Sequence, residues 1–513
     1  MNLADIFRHW GRWQPSALAI RFGARDLTWR QLDQRTDAVA AALAERGISN
    51  GDRIGILLGN CPEYIETSIA AWKLGAVVVP LNVRYAPPEA AYVIENAGCS
   101  LLLTDAALAP TLAEVEGRLP ILDVRDLRAM ADGGGKVPLL DLDPDHPATI
   151  CYTSGTTGDP KGAVLTHGSW NAASQGWVQA IQLTTEDRVL LPFPLAFTGG
   201  FAVFLFTLWS GGRLVLEPSF EADRTLDLFE QERITALLAV PQIHEVLVQH
   251  PRWQQVDLSS WRIACSGGAS VPESLIRAIQ ARGVPMLQGY SLTEASAAAT
   301  ILPGHDALTK VGSAGLPIVH GGSAVIREDG SFCEAGEVGE ILISGPQVMA
   351  GYWNNPQASA KALQNGWLHT GDMGVLDEDG YLKVVDRAKD MLISGGLNVY
   401  PAEIERLLTG LDGINEVAVI GVPHERWGET PMVIANTAGK PLTAEQVMAA
   451  CSGKLADYKM PRYLLLRDEP LPRGMSGKVL KRDLRDEYAT LPDSVIRLDI
   501  SIDKDKDKES KHA

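Results

Sequence analysis

Two short apolar stretches, Ile150-Cys151-Tyr152 and Ala163-Val164-Leu165, read as strands, and residues 153–162 join them. That link carries four hydroxyls, three glycines and one lysine in ten positions. It constrains the chain more than any other stretch, because it ties two strands to one loop of defined chemistry. Backbone N–H groups and hydroxyls of such a loop wrap phosphate oxygens, while the Lys161 ammonium neutralises their charge. The link differs from a P-loop, whose G-x-x-x-x-G-K-[ST] opens a helix. A Gly/Thr-rich run is by itself also what a surface loop looks like. The Asp159-Pro160-Lys161-Gly162 ending is the part that chance rarely supplies.

Around the loop, helical and strand patterns alternate. Residues 32–46 have helical spacing, with Leu32, Val39 and Leu43 on one face. A Gly-Ile-Ser-Asn-Gly turn follows, then a buried strand over 53–58, a helix over 62–73 and a strand over 76–80. This alternation predicts α/β layers with parallel sheets, and it continues to about residue 310. Residues 311–386 change to short strands with Gly turns at Gly321-Gly322, Asp329-Gly330 and Asp379-Gly380, which predicts a β-rich subdomain. A smaller α+β unit is expected beyond it. Its signals are a helix over 400–409 with Pro401 in the first turn, a strand over 417–421 and a helix over 443–455. The final stretch, 491–513, ends in alternating Lys and Asp and is expected to be disordered.

With 513 residues the chain is long enough for several cores. Hydrophobic content of 46% with 21% charged residues is the balance of a soluble globular protein. A net charge of -17 argues against nucleic acid as a partner. The six cysteines stand far apart with no C-x-x-C pair. Neither a zinc site nor a disulfide framework is therefore expected, and the expected compartment is the cytoplasm. The N-terminus lacks the apolar core of a signal peptide. Residues 189–212 carry no charge and are long enough to span a bilayer. Pro192, Pro194 and Gly199-Gly200 interrupt them, so a strand, a loop and a buried helix over 201–209 are expected, and no membrane span.

Five further segments carry chemistry. Ser266-Gly267-Gly268-Ala269 follows a strand-like run, and its glycines let a flat ring approach the backbone. A strand-end turn gives the same pattern. Gly289-Tyr290-Ser291-Leu292-Thr293-Glu294 brings an aromatic, hydroxyls and a carboxylate together, which suits adenine, phosphate and Mg²⁺. A buried Tyr with a capping Thr/Glu pair remains open as well. Asp372 follows Gly371 and can accept two hydrogen bonds from vicinal ribose hydroxyls. Arg387 lies in a charged run, and Lys478 ends a Gly/Ser turn.

In this order and at this spacing, the segments resemble the adenylate-forming superfamily: acyl-CoA synthetases, peptide-synthetase adenylation domains and luciferases. The resemblance runs from about Pro15 to Arg485, and it includes the stretch 345–353, which has no assigned role. It implies an ATP site in which Thr153, Ser154, Gly155, Thr156, Thr157, Gly158 and Lys161 hold the β- and γ-phosphates. Gly267, Gly268 and Tyr290 would flank adenine, with Ala269, Gly289 and Ser291 in the same segments. Thr293 would contact the α-phosphate, Glu294 would bind Mg²⁺, and Asp372 and Arg387 would hold ribose. Lys478 matches the catalytic lysine of adenylation, acting with Thr293 and Glu294, and Lys389 matches a hinge. The implied division is a large N-terminal domain over 1–386, a hinge at 387–389 and a small mobile α+β domain over 390–490. Gly395, Gly396 and Leu397 would line a tunnel for the pantetheine arm of coenzyme A.

The acyl pocket is expected behind residues 193–207, lined by Phe197, Thr198, Gly199 and Val240, with Gly200 and Ala202 also leaving volume open. Many relatives have a histidine after Pro-x-x, where this chain has Phe197 after Pro194-Leu195-Ala196. The windows 193–207, 263–272 and 288–300 contain one charge, Glu294. A dicarboxylate or an amino acid would want a further charged partner, so a bulky apolar acid (fatty, alicyclic or aromatic) is the expected substrate. Coenzyme A is the expected acceptor, since residues 395–401 resemble CoA ligases more than peptide-synthetase domains, and no carrier domain follows Lys478. A stand-alone ligase loading a separate carrier protein is the alternative, with a non-catalytic ATP- or acyl-binding relative behind it. A luciferase-like role is set aside for want of a C-terminal Ser-Lys-Leu. A homodimer is left open.

Overall fold

The computed structural model describes residues 2–138, 140–153, 160–394, 397–425, 427–473, 479–492 and 494–498. Four sheets organise the described residues. A seven-stranded sheet has at its centre Pro147–Thr153, Val77–Pro80, Arg53–Leu57 and Leu101–Thr104, mutually parallel, with the antiparallel Lys161–Thr166 next to Pro147–Thr153. A nine-stranded sheet has a parallel centre made of Met286–Tyr290, Ile263–Gly267, Ala236–Ala239, Arg188–Leu191 and Arg213–Leu216. Parallel strands are covered on both faces, so their sequences are apolar runs rather than alternations. Val77-Val78-Val79-Pro80, buried throughout, is such a run. The predicted α/β architecture, with its large N-terminal part and smaller C-terminal part, is the one the chain adopts.

One continuous core joins the two large sheets. Its centre is aromatic. Trp72, from the buried helix Pro62–Lys73, stacks on Phe204 at 6.3 Å and meets Phe201 edge-on at 5.9 Å. Phe201 in turn lies 5.4 Å from Trp170. Both phenylalanines belong to the helix Thr198–Trp209, which has no charged residue and is buried almost throughout. This helix starts three residues before the expected 201, with Gly199 and Gly200 in its first turn. A Cβ on Gly200 would lie 2.1 Å from the Pro194 carbonyl oxygen, so backbone crosses backbone there and only glycine fits. Gly200 and the buried Ala202 therefore leave no volume open, contrary to expectation, whereas a Cβ on Gly199 meets nothing within 4 Å. Twelve helical residues reach about 18 Å, and no helix among the described residues is long and apolar enough to cross a membrane.

The β-rich part is an antiparallel sheet of Gly322–Ile326, Gly339–Ser344, Trp367–Leu376, Leu363–Gln364 and Leu382–Arg387. The last sheet centres on Glu416–His424 and Gly428–Asn436. Alternation along these strands splits its core. Val419, Val433 and Leu464 pack with Ile404, Leu408 and Val447, whereas Ala418, Ile420 and Ile434 pack with Leu484. Order reaches into the stretch expected to be disordered. Ile496–Arg497 pair with the free edge of Tyr463–Arg467, and Leu498 beyond them is buried. The rest of the Lys/Asp tail lies outside the described residues.

Candidate active site

The strands Pro147–Thr153 and Lys161–Thr166 pair with Thr153 opposite Lys161, so a strand-to-strand connection carries the Gly/Thr link, as its flanks predicted. Thr153 Oγ1 donates to the Lys161 carbonyl at 3.4 Å. Ser154, Gly155, Thr156, Thr157 and Gly158 lie outside the described residues. On the other side of Lys161–Thr166 runs the edge strand Gly351–Tyr352. The Tyr352 ring centre stands 5.4 Å from Lys161 Nζ, and its hydroxyl donates to Glu294 Oε1 at 2.9 Å. Burial, reinforced by the charge of Glu294, pushes the phenol's pKa up, so it stays a donor. Tyr352 lies in the stretch to which the sequence assigned no role, and no local pattern links it to a residue so far away.

The parallel strands Ile263–Gly267 and Met286–Tyr290 end side by side, with Gly267 opposite Gly289. Ligands of open α/β sheets bind beyond such carboxyl ends. A Cβ on Gly267 would lie 2.7 Å from the Gly289 carbonyl oxygen, and one on Gly289 would lie 2.7 Å from the Trp177 ring. Packing alone thus accounts for these two glycines. Gly268, at φ +81°, needs glycine for its left-handed backbone, and a Cβ there would have only Val240 Cγ1, at 3.7 Å, for a neighbour. Ala269 is exposed and Ser291 half-buried.

Thr293 and Glu294 sit in a single 3₁₀ turn, Thr293–Ala295. Ser296 and Ala297 follow with φ of 50° and 55°, both left-handed without being glycine. Such residues cost about 1–3 kcal/mol each and persist only where the surroundings hold them. Here Ser296 Oγ donates to Gln347 O at 2.9 Å, Trp177 Nε1 donates to Ala297 O at 2.9 Å, and Met349 N–H donates to Glu294 O at 2.8 Å. Trp177 is a second residue the sequence did not reveal. The turn brings Thr293 Oγ1 within 3.0 Å of Thr198 Oγ1. A residue expected to touch phosphate and one expected to line the acyl pocket are therefore hydrogen-bonded. Phe197 is half-buried at the start of its helix, Gly199 is exposed beside it, and Val240 is 41% exposed next to Gly268.

Asp372 and Arg387 face each other across the β-rich sheet, with Arg387 Nε 3.4 Å from Asp372 Oδ1. Tyr290 donates its hydroxyl to Asp372 Oδ2 at 2.6 Å. Burial and the Asp372 charge hold this phenol well above its usual pKa, so it too remains a donor. The residues expected at adenine and at ribose thus form one contact chain. Lys389 is exposed two residues past Arg387. Leu397 is exposed at the start of Leu397–Val399, which pairs with Leu392–Ser394. Gly395, Gly396 and Lys478 lie outside the described residues.

Whether Glu294 fits Mg²⁺ follows from its bonding. Tyr352 engages one carboxylate oxygen, and the other has no protein hydrogen bond among the described residues. The described residues contain no group of three or more His, Cys, Asp or Glu able to hold a metal by themselves. A single available carboxylate beside a phosphate site is the protein share that Mg²⁺ usually takes, with phosphate oxygens and water filling the rest.

Known proteins match this architecture. The family model described as AMP-binding enzyme matches residues 7–353, and that of the AMP-binding enzyme C-terminal domain matches 403–478. Feruloyl-CoA synthase of Amycolatopsis is 39% identical over 482 residues, covering 93% of this chain and 97% of that protein. Indoleacetate–CoA ligase of Aromatoleum aromaticum is 40% identical, covering 94% and 98%. The solved o-succinylbenzoate CoA synthetase of Bacillus subtilis, in complex with its acyl-adenylate intermediate, superposes with a TM-score of 0.87 at 31% identity, covering 94% of this chain and 98% of that one. The same synthetase has also been solved with ATP and magnesium ion.

Proposed function

The chain belongs to the family of AMP-binding enzymes, and from that premise we propose that it is an ATP-dependent carboxylic acid:CoA ligase acting on a bulky apolar acid. The observation that carries this reading is the Thr198–Thr293 hydrogen bond. It joins the nucleotide residues to the apolar segment 197–199 at the point where a carboxylate would have to meet an α-phosphate. The named acids of the relatives, ferulate and indoleacetate, carry ring systems, which supports the apolar-acid class. Those relatives are CoA ligases, which favours the CoA thiol over a carrier protein as acceptor. Six free cysteines and the lack of a spanning helix among the described residues agree with a cytoplasmic enzyme.

The acid's carboxylate is the nucleophile, so no Ser or Cys nucleophile is required. It attacks the α-phosphorus, pyrophosphate leaves, and an acyl-adenylate remains. The thiol of coenzyme A then attacks the acyl carbon, and AMP leaves. The difficulty is electrostatic, since one anion approaches another. Lys161 and the link after Thr153 hold the outer phosphates, and Thr293 orients the α-phosphate. Asp372, flanked by Tyr290 and Arg387, takes the ribose hydroxyls. Lys478 neutralises the charge that develops between carboxylate and phosphate, and losing such a group costs about 3–4 kcal/mol of barrier. Glu294 would hold Mg²⁺, which when bound would supply further neutralisation of the phosphates. The second step belongs to the small domain, 390–490. Turning about the hinge 387–389, at Lys389, it would withdraw Lys478 and present the tunnel residues Gly395, Gly396 and Leu397.

The test is a panel of carboxylic acids with ATP and Mg²⁺, following pyrophosphate release with and without coenzyme A. Thioester from ring-bearing or long-chain acids is expected. Release of pyrophosphate without any thioester would transfer the reading to a carrier-loading ligase.

A further inference from the structure

Glu340 has no part in the nucleotide reading above, yet its carboxylate sits directly behind Asp372. It lies on Gly339–Ser344, whose pairing with Trp367–Leu376 slips between Glu340 and Leu342. The slip leaves Thr370, Gly371 and Asp372 of the partner strand opposite Ile341 alone, and Gly371 takes a left-handed φ of 69°. Bulges of this kind re-aim a side chain beside a site. Glu340 Oε1 accepts the Gly371 N–H at 3.0 Å, and Oε2 lies 2.9 Å from His369 Nδ1. From the other side, the Gly371 carbonyl accepts the Ala388 N–H at 3.0 Å. Thr370 Oγ1 donates to Ile341 O at 2.7 Å and accepts the Asp372 N–H at 3.1 Å. One carboxylate therefore closes a bulge that includes Asp372.

We propose that Glu340 is a positioning residue for Asp372. By holding the Gly371 N–H and the His369 imidazole together, it fixes the bulge that aims Asp372 at Tyr290. Resting on the function proposed above, it also fixes the carboxylate's aim at the nucleotide's ribose hydroxyls. Without the Glu340 carboxylate, the Gly371 N–H loses its acceptor and the glycine regains its conformational freedom. Asp372 then turns toward Arg387, and its two oxygens no longer meet two vicinal hydroxyls. Glu340→Gln keeps the geometry, because the amide oxygen accepts from Gly371 and the amide NH₂ donates to His369 Nδ1. Glu340→Ala removes both contacts.

Calorimetric Kd values of the full-length protein for AMP, 2′-deoxy-AMP and 3′-deoxy-AMP test this without any acid or metal. The parent is expected to bind AMP about tenfold more tightly than either deoxynucleotide, as a hydrogen bond to a charged group implies. In Glu340→Ala that preference is expected to fall to about threefold or less, while Glu340→Gln keeps it. Retained preference in Glu340→Ala overturns the proposal, and so does a loss in Glu340→Gln as deep as in Ala. Asp372→Ala separates the two levels. If the parent or Asp372→Ala shows that this carboxylate does not discriminate, the ribose reading fails. If Asp372→Ala loses the preference and Glu340→Ala keeps it, only the positioning role fails. Should Glu340→Ala not fold, Thr370→Val removes the acceptor of the Asp372 N–H at nearly constant shape, and it carries the same expectation and the same refutation.

Discussion

Gly199 and Gly200 are adjacent in one helical turn, and the fold predicts opposite outcomes for adding a methyl group to each. At Gly200 the new Cβ would stand 2.1 Å from the Pro194 carbonyl oxygen. An ordinary contact needs roughly another ångström, and both sides of this contact are backbone. Overpacking of this kind costs about 1–3 kcal/mol, and with no flexible side chain to yield, the upper end applies. At Gly199 nothing lies within 4 Å, and its φ needs no glycine, so Gly199→Ala gains up to about 1 kcal/mol of helix propensity. With an unfolding entropy of about 2.1 cal/mol/K per residue, a cooperative unit of about 400 residues shifts by about 1 °C per kcal/mol. Parallel thermal melts should therefore put Gly200→Ala about 3 °C or more below the parent and Gly199→Ala level with it or about 1 °C above. If Gly199 lines the acyl pocket, its variant should also lose kcat/KM on the largest acids of the panel more than on short ones. Gly200→Ala melting level with the parent would refute the close-approach argument.

Tyr352→Phe keeps the ring near Lys161 and removes the donor to Glu294. Since partners that orient a metal ligand are typically worth about 10–100-fold in metal affinity, the Mg²⁺ needed for half-maximal pyrophosphate release should rise about tenfold, and an unchanged Mg²⁺ titration would count against Tyr352. Lys478→Ala should lose adenylation by more than a hundredfold, as expected from about 3–4 kcal/mol of barrier, yet still convert supplied acyl-adenylate to thioester; equal loss of both half-reactions would contradict its assignment. His244 is fully buried, with Nε2 3.1 Å from Cys265 O and Nδ1 unpartnered among the described residues, and burial pushes its pKa down to about 4. Because the unfolded chain takes up this proton near pH 6.5 and the folded one does not, stability falls as pH drops from about 6.5 to about 4, by about 1.4 kcal/mol per unit. His244→Gln should flatten that slope by about one proton in pH-resolved urea denaturation, and an unchanged slope would show that His244 is not its source.

What the sequence made legible was whatever lies close along the chain. The helix Pro62–Lys73 is bounded as predicted, because Pro62 supplies an N-terminal stop and the leucine and glycine at 74–75 end it. The parallel strands were visible because burial on both faces demands unbroken apolar runs. Gly199-Gly200 misled, because a glycine that permits close backbone approach looks the same in sequence as one that ends a helix. The strand Ile496–Arg497 was missed because a two-residue pairing has no periodicity of its own, and only the free edge of Tyr463–Arg467 makes it form. The contacts that shape the site span greater distances still. Tyr352 meets Glu294 across 58 residues, and Gly371 meets Glu340 across 31. Neither pair has a spacing rule, since the sheets and not the local sequence bring them together.

Phe197 shows how the two kinds of information combine. The sequence locates a departure from the histidine many relatives carry there, and composition alone would make the pocket mouth apolar. The fold places a hydroxyl one residue further on, and Thr198 Oγ1 reaches Thr293 Oγ1 at 3.0 Å. Both threonines are half-buried, so the bond is worth about 0.5–1.5 kcal/mol, and each threonine holds the other's side chain in place. The junction between the apolar segment and the phosphate residues therefore keeps a hydrogen-bonding pair although the residue before it is phenylalanine. On the function proposed above, Phe197 would contribute apolar surface, and Thr198 would set where that surface stops and the hydrogen-bonding groups that meet a carboxylate begin.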